Sequence, residues 1–138
     1  MKQADKAHTT SFAVLALLPD EANTTNLESA VYACGGQWIR PSRADLTFHR
    51  LDHHGQIILY DRELPGRWQQ AVADLAKLPW HPSVILLSSV NDQYLWNEVV
   101  RVGGYDVLTK ASGMQATIRL LRSAYSYWRN ALCAQGAS

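Results

Sequence analysis

Short unbroken runs of apolar residues alternate along the chain with stretches in which apolar residues recur at helical spacing. Apolar runs bounded by turn residues are typical of strands buried on both faces, as in a parallel sheet. The runs that predict strands are Phe12–Leu18, Trp38–Ile39, Ile57–Tyr60, Val84–Leu87 and Tyr105–Thr109. The third run leads directly into Asp61 and a Leu-Pro-Gly turn.

The stretches between these runs predict helices. Thr25-x-x-Glu28 and Ser112-x-x-Gln115 are capping-box patterns, in which a hydroxyl and a carboxyl or amide group satisfy free amides at a helix start. Asn91-Asp92 is a further N-cap signal. The predicted helices run from Thr25 to Gly35-Gly36, from about Ser42 to Leu51, from Trp68 to Leu78, from Asn91-Asp92 to Gly103-Gly104, and from Ser112 to about Trp128.

Five alternations of strand and helix predict an α/β fold: a five-stranded parallel sheet, right-handed crossovers and helices on both faces. The pattern assigns residues 12–130 to one domain, with an N-terminal tail at 1–11 and a C-terminal tail at 131–138.

Composition narrows the class of protein. Of the 138 residues 47% are hydrophobic and 18% charged, which is ordinary for a soluble domain. A net charge of +1 gives no electrostatic reason to expect nucleic acid or an anionic membrane as a partner. The run Phe12–Leu18 is too short to span a bilayer, and two cysteines fit a reducing cytosol. The expectation is a cytoplasmic protein.

Polar side chains follow four of the predicted strands. They are Asp20, Asp61, Ser88 and Lys110. Because the carboxyl ends of parallel strands meet at one edge of the sheet, we expect these side chains to gather there. A carboxylate held at a strand end can act as a nucleophile or a metal ligand. The plainer interpretations are a turn-capping acid for Asp61, a backbone-satisfying hydroxyl for Ser88 and a solvated side chain for Lys110.

Three segments together resemble the receiver domain of two-component response regulators, over nearly the whole chain from Phe12 to Trp128. They are Leu59–Gly66, Val84–Ser89 and Gly103–Lys110, the last similar to the family's Gly-Ala-x-Asp-Tyr-Leu-Thr-Lys-Pro signature. The resemblance implies the flavodoxin-like (βα)5 receiver fold. It also implies a regulator, with at most self-catalysed phosphoryl transfer and hydrolysis, rather than a conventional enzyme.

The resemblance further implies a role for each site residue. Asp61 matches the aspartate that accepts a phosphoryl group from a histidine kinase or phosphotransfer protein with the help of Mg²⁺. Ser88 matches the hydroxyl residue that hydrogen-bonds the phosphoryl group, and Lys110 matches the lysine that pairs with it. The implied metal ligands are Asp20, Asp61 and the main-chain carbonyl of Glu63.

The sequence departs from the family pattern at three places. Receivers carry two adjacent acids where this chain has Pro19-Asp20 or, with the match shifted by one, Leu18-Pro19, so the acid pair for Mg²⁺ is incomplete. Val107 replaces the aromatic switch residue, with Tyr105 nearby, and Ala111 replaces the proline after the lysine. We therefore expect an atypical stand-alone receiver with weaker or altered handling of metal and phosphate.

Two alternatives remain open on the sequence. One is a phosphorylation-independent pseudo-receiver that acts as a binding scaffold, and the other is a small α/β enzyme or ligand-binding protein. Whether the chain is a phosphorylated receiver or a pseudo-receiver scaffold, the output passes to a downstream protein partner. Aromatic residues on the last two helices and the strand between them are candidates for such a surface or for a homodimer contact. They are Tyr94, Trp96, Tyr105, Tyr125 and Trp128.

Overall fold

The chain forms a five-stranded parallel sheet with helices on both faces, as the sequence predicts. The computed structural model describes residues 12–41 and 55–137. The strands are β1 Phe12–Leu17, β2 Gly36–Ile39, β3 Ile57–Asp61, β4 Ser83–Ser88 and β5 Asp106–Thr109. The described helices are α1 Thr25–Ala33, α2 Trp68–Ala76, α3 Gln93–Arg101 and α4 Met114–Ala137.

The strand order β2-β1-β3-β4-β5 places β1, β3 and β4 inside the sheet. Every residue of β3 and β4 is buried, which explains why both read as unbroken apolar runs. Alternate side chains serve opposite cores. Ile58 and Tyr60 pack toward α2 and α3, whereas Ile57 and Leu59 pack toward α1 and α4.

The register of the sheet brings the ends of three strands level with one another. Asp61 pairs with Leu87, and Ser88 pairs with Thr109. Asp61, Ser88 and Lys110 therefore lie at the same edge of the sheet, as expected from its parallel topology.

The starts of two helices differ from the predicted capping boxes. The N-cap of α1 is Thr24, whose hydroxyl donates to Oε2 of Glu28 at 2.6 Å, while the amide of Thr25 donates to Asn23. The capping box at Thr25 is therefore wrong by one residue. The box at Ser112 is wrong as well, because its hydroxyl lies 2.6 Å from that of Thr109 and α4 begins two residues later.

The start of α3 and the ends of α1 and α3 follow the prediction. Asp92 caps α3 by accepting a hydrogen bond from the amide of Leu95 at 2.9 Å. Gly35 and Gly103, which follow α1 and α3, have φ angles of 82° and 104°, a conformation that glycine adopts without strain. The helix α4 continues to Ala137, well past its predicted end near Trp128.

Some predicted features lie outside the described residues: the tail 1–11 and the helix at about 42–51. Among the helices that the structure describes, none combines the length and apolar character needed to cross a membrane.

Candidate functional site

Asp61 is the last residue of β3, and its side chain is held from two sides. The residue is 2% exposed. Its Oδ1 atom accepts the main-chain N–H of Glu63 at 2.8 Å, and its main-chain oxygen accepts that of Leu64 at 3.1 Å. The carboxylate does cap the following turn, as the plainer interpretation holds, but this contact uses one of its two oxygens.

The second oxygen of Asp61 meets Lys110. The Nζ atom of Lys110 lies 3.0 Å from Oδ2 of Asp61 and 3.4 Å from Oε2 of Glu63. The main-chain N–H of Lys110 donates to the carbonyl of Ser88 at 2.9 Å, which fixes the start of the side chain at the end of β4. Lys110 therefore contacts the buried carboxylate of Asp61 while part of its side chain stays in solvent.

The ammonium form of Lys110 is favoured by its two acidic neighbours. Partial burial lowers the pKa of Lys110, but the hydrogen bond and charge of Asp61, with a further contribution from Glu63, outweigh that effect. The net pKa of Lys110 lies above its ordinary value of 10.5. The site thus keeps a fixed positive charge beside the buried carboxylate at neutral pH.

Ser88 ends β4 and is also 2% exposed. Its Oγ atom accepts the N–H of Val90 at 3.2 Å and the Nη1 of Arg62 at 3.3 Å. The sequence interpretation missed Arg62, which directly follows Asp61. At the end of a strand the turn decides where a side chain points, so sequence alternation gave no signal for this contact.

A cavity of about 300 Å³ opens beside the Asp61–Lys110 pair, between the first turns of α1 and α4. Its lining combines an apolar floor with hydroxyl and amide groups. The described residues that line it include Leu18, Leu27, Leu87, Asn23, Asn26 and Thr109. Asp61 and Lys110 also line this cavity.

The described residues do not fit a magnesium site. Leu17 pairs with Tyr60, so the apolar Leu18 comes next to Asp61 in register. Asp20 lines a separate cavity of about 810 Å³ together with Glu63 and Tyr60. No group of three or more His, Cys, Asp or Glu able to hold a metal occurs among the described residues. The metal ligands expected at Asp20, Asp61 and Glu63 stay a prediction.

The other two departures from the receiver pattern are at Val107, in place of the aromatic switch residue, and at Ala111, in place of the proline after Lys110. Val107 is buried in the core that faces α2 and α3, and Tyr105 packs against Tyr127 with ring centroids 5.2 Å apart. After Lys110 the chain turns through a hydrogen bond from the amide of Ser112 to the carbonyl of Thr109. None of the described peptide bonds is cis.

The aromatic residues near the end of the chain do not form one surface. Tyr125 stacks between Phe12 and Trp128, and the indole N–H of Trp128 donates to the carbonyl of Trp80 at 2.8 Å. The rings of Tyr125 and Trp128 are therefore held by contacts within the protein. Tyr94 and Trp96 on α3 are exposed instead, Tyr94 to 87%.

Comparison with known proteins identifies the fold. No protein-family model matches the chain, and no curated protein is similar to it by sequence. Solved structures of response regulators and their receiver domains do match it. A response regulator from Thermotoga maritima is 18% identical with a TM-score of 0.70, and the match covers 84% of this chain and 98% of that one.

Two further matches include one to a dimer and one to a longer protein. The beryllofluoride-activated NtrC4 receiver domain dimer is 16% identical with a TM-score of 0.68, over 84% of this chain and 98% of that one. NtrX from Brucella abortus is 15% identical with a TM-score of 0.75, over 91% of this chain and 30% of that one. The chain therefore has the flavodoxin-like fold of response regulator receiver domains.

Proposed function

We propose that this protein is a signalling receiver whose phosphoacceptor is Asp61. The observation that carries the proposal is the Asp61–Lys110 contact at the strand edge, with Ser88 at the end of the intervening strand. A nucleophilic carboxylate, a cation and a hydroxyl are the groups that phosphoryl transfer needs for attack and for charge neutralisation. The match to receiver structures supports a regulator rather than a conventional enzyme.

The transfer step is a displacement at phosphorus. A carboxylate oxygen of Asp61 attacks the phosphorus of a phosphohistidine or an acyl phosphate, and an O–P bond forms. The bond from phosphorus to the donor breaks, and the electron pair leaves with the imidazole or carboxylate. Lys110 pairs with the added phosphoryl oxygens, and the hydroxyl of Ser88 donates to one of them. Water later attacks the same phosphorus and restores the carboxylate.

The signal then passes to a protein partner. Ser88 ends β4 and Lys110 follows β5. A phosphoryl group on Asp61 binds both side chains and so draws those two strand ends toward Asp61. The neighbouring α3 carries exposed Tyr94 and Trp96. We place the contact with a downstream protein, or with a second copy of the chain, on the side formed by the last two helices.

A pseudo-receiver scaffold is the second candidate. It is favoured by the absence of an acid beside Asp61 in register, where Leu18 follows the Leu17–Tyr60 pair. Such a scaffold would bind its partner equally well with Asp61 or with Asn at this position.

The experiment that separates the two candidates is exposure of the protein to acetyl phosphate. The phosphoacceptor proposal expects a phosphoryl adduct on the wild type and none on Asp61→Asn. A folded wild type that stays unmodified with small donors and with histidine kinases would instead favour the scaffold.

A further inference from the structure

Arg62 connects the two strand ends that carry Asp61 and Ser88. Its main-chain N–H donates to the carbonyl of Leu87 at 2.9 Å, and its guanidinium donates to Oγ of Ser88 at 3.3 Å. The same residue thus binds β4 through its backbone and through its side chain. Its guanidinium therefore contacts the Ser88 hydroxyl, which in the proposed function donates a hydrogen bond to the phosphoryl group.

The contact with Arg62 determines which hydrogen bonds the hydroxyl of Ser88 can still form. A serine hydroxyl has two acceptor lone pairs and one hydrogen to donate. The N–H of Val90 and the Nη1 of Arg62 occupy the two lone pairs. The hydrogen remains for an acceptor, and a phosphoryl oxygen on Asp61 is an acceptor at the same sheet edge.

Arg62 adds a directed hydrogen-bond donor to a sheet edge where an apolar residue stands beside Asp61. The residue beside Asp61 on the β1 side is Leu18, and the described residues form no metal-holding cluster. Lys110 is the cation on one side of the carboxylate, and Arg62 brings a second cation to Ser88. Guanidinium groups suit phosphoryl oxygens because they present several N–H donors in a fixed plane.

We propose that Arg62 is a positioning residue for phosphoryl transfer to Asp61, acting through Ser88; this rests on the proposed function. Its main effect is geometric. Arg62 is an exposed residue, so solvent screens its charge, whereas its hydrogen bond fixes a buried hydroxyl. Without it, Oγ of Ser88 has a free lone pair and its hydrogen is no longer directed to one acceptor.

The test measures the rate of acetyl phosphate labelling, by intact mass, for four variants in buffer with Mg²⁺: Arg62→Gln, Ser88→Ala, the double variant, and Arg67→Gln. Arg67, the exposed N-cap residue of α2 on the same connection, gives the same change of charge. We expect Arg62→Gln to slow labelling about tenfold, less than the ~10²–10³-fold cost of losing a direct donor. We expect Arg67→Gln to label like the wild type.

The double variant separates positioning from an independent charge effect. If Arg62 acts through Ser88, the double variant labels no more slowly than Ser88→Ala, because the shared interaction is lost once. A double variant slowed by the product of the two single effects would overturn the proposal. So would an Arg62→Gln rate within twofold of wild type, or an equal loss in Arg67→Gln.

The same run distinguishes failure of this inference from failure of the proposed function. A wild type that labels, with Arg62→Gln labelling equally fast, refutes the role of Arg62 and leaves the phosphoacceptor standing. A wild type that labels neither with acetyl phosphate nor with histidine kinases refutes both. Thermal unfolding of each variant, with labelling measured well below its midpoint, shows that slow labelling does not come from misfolding.

Discussion

The Nζ atom of Lys110 lies 3.0 Å from Oδ2 of Asp61, although the strands that lead to these residues are not neighbours. In the order β3-β4-β5, one whole strand separates them. Adjacent strands are about 4.8 Å apart, so the side chains of Lys110 and Asp61 together span roughly 10 Å of sheet edge. This crossing closes the site over the end of β4, where Ser88 lies.

Lys110→Met is expected to destabilise the fold at neutral pH by about 1–2 kcal/mol, because it leaves the carboxylate of Asp61 buried without its cation. The figure lies below the ~3–5 kcal/mol cost of breaking a fully buried pair, since the Lys110 side chain is 36% exposed and solvent replaces part of the interaction. Urea unfolding of the variant and the wild type measures the difference.

That difference in unfolding free energy is expected to depend on pH. The pKa of Lys110 is raised in the folded protein above 10.5, so the folded state binds the lysine proton more tightly than the unfolded state. The stabilisation is therefore complete below that pH and is lost as the pH rises through the folded pKa. A gap between wild type and Lys110→Met that stays constant up to alkaline unfolding would contradict this, and the exposed Lys77→Met is the control.

Ser83→Ala is expected to cost about 1 kcal/mol of unfolding free energy. The Ser83 hydroxyl is 3% exposed and donates to the carbonyl of Ala124 in α4 at 2.9 Å, so the substitution removes a buried hydrogen bond between sheet and helix. Ser89→Ala, at an exposed residue of the next loop, is the matched control. Equal urea midpoints for the two variants would show that the bond contributes nothing.

Gly104→Ala is expected to destabilise the protein by about 1–3 kcal/mol through overpacking. An added Cβ would lie 2.6 Å from Cγ1 of Val99 and 3.1 Å from Cγ1 of Val72, in the core between α2, α3 and the sheet. Gly113→Ala is the control, since a Cβ there meets no atom within 4 Å. Thermal unfolding of both variants checks the prediction, which fails if Gly104→Ala melts with the control.

The sheet could be predicted from sequence because burial on both faces leaves a strong pattern. Ile57–Tyr60 is continuous in apolar character since its alternate side chains enter two different cores. Once the strands are parallel, the meeting of Asp61, Ser88 and Lys110 at one edge follows from topology. The structure places Lys110 against Asp61, whereas the roles of Asp61, Ser88 and Lys110 in phosphoryl transfer stay predictions.

The helix caps and side-chain contacts could not be predicted in the same way, because neighbouring groups compete for them and the sequence does not show which group prevails. Thr24 and Thr25 are both suitable caps, and the hydrogen bond from Thr24 to Glu28 decides between them. Arg62 is the first residue after β3, so strand alternation no longer sets the direction of its side chain. Its contact with Ser88 depends on the conformation of the turn. Tyr125 was grouped with Tyr94 by position, but stacking on Phe12 directs it away from the exposed surface of α3.

The most direct test of the central claim is intact-mass spectrometry of the wild type and Asp61→Asn after incubation with acetyl phosphate and Mg²⁺. Asn keeps an oxygen to accept the N–H of Glu63, so we expect the variant to fold and to unfold in one transition like the wild type. The account predicts one phosphoryl adduct on the wild type, mapped to Asp61, and none on the variant. An adduct of equal yield on folded Asp61→Asn would contradict it.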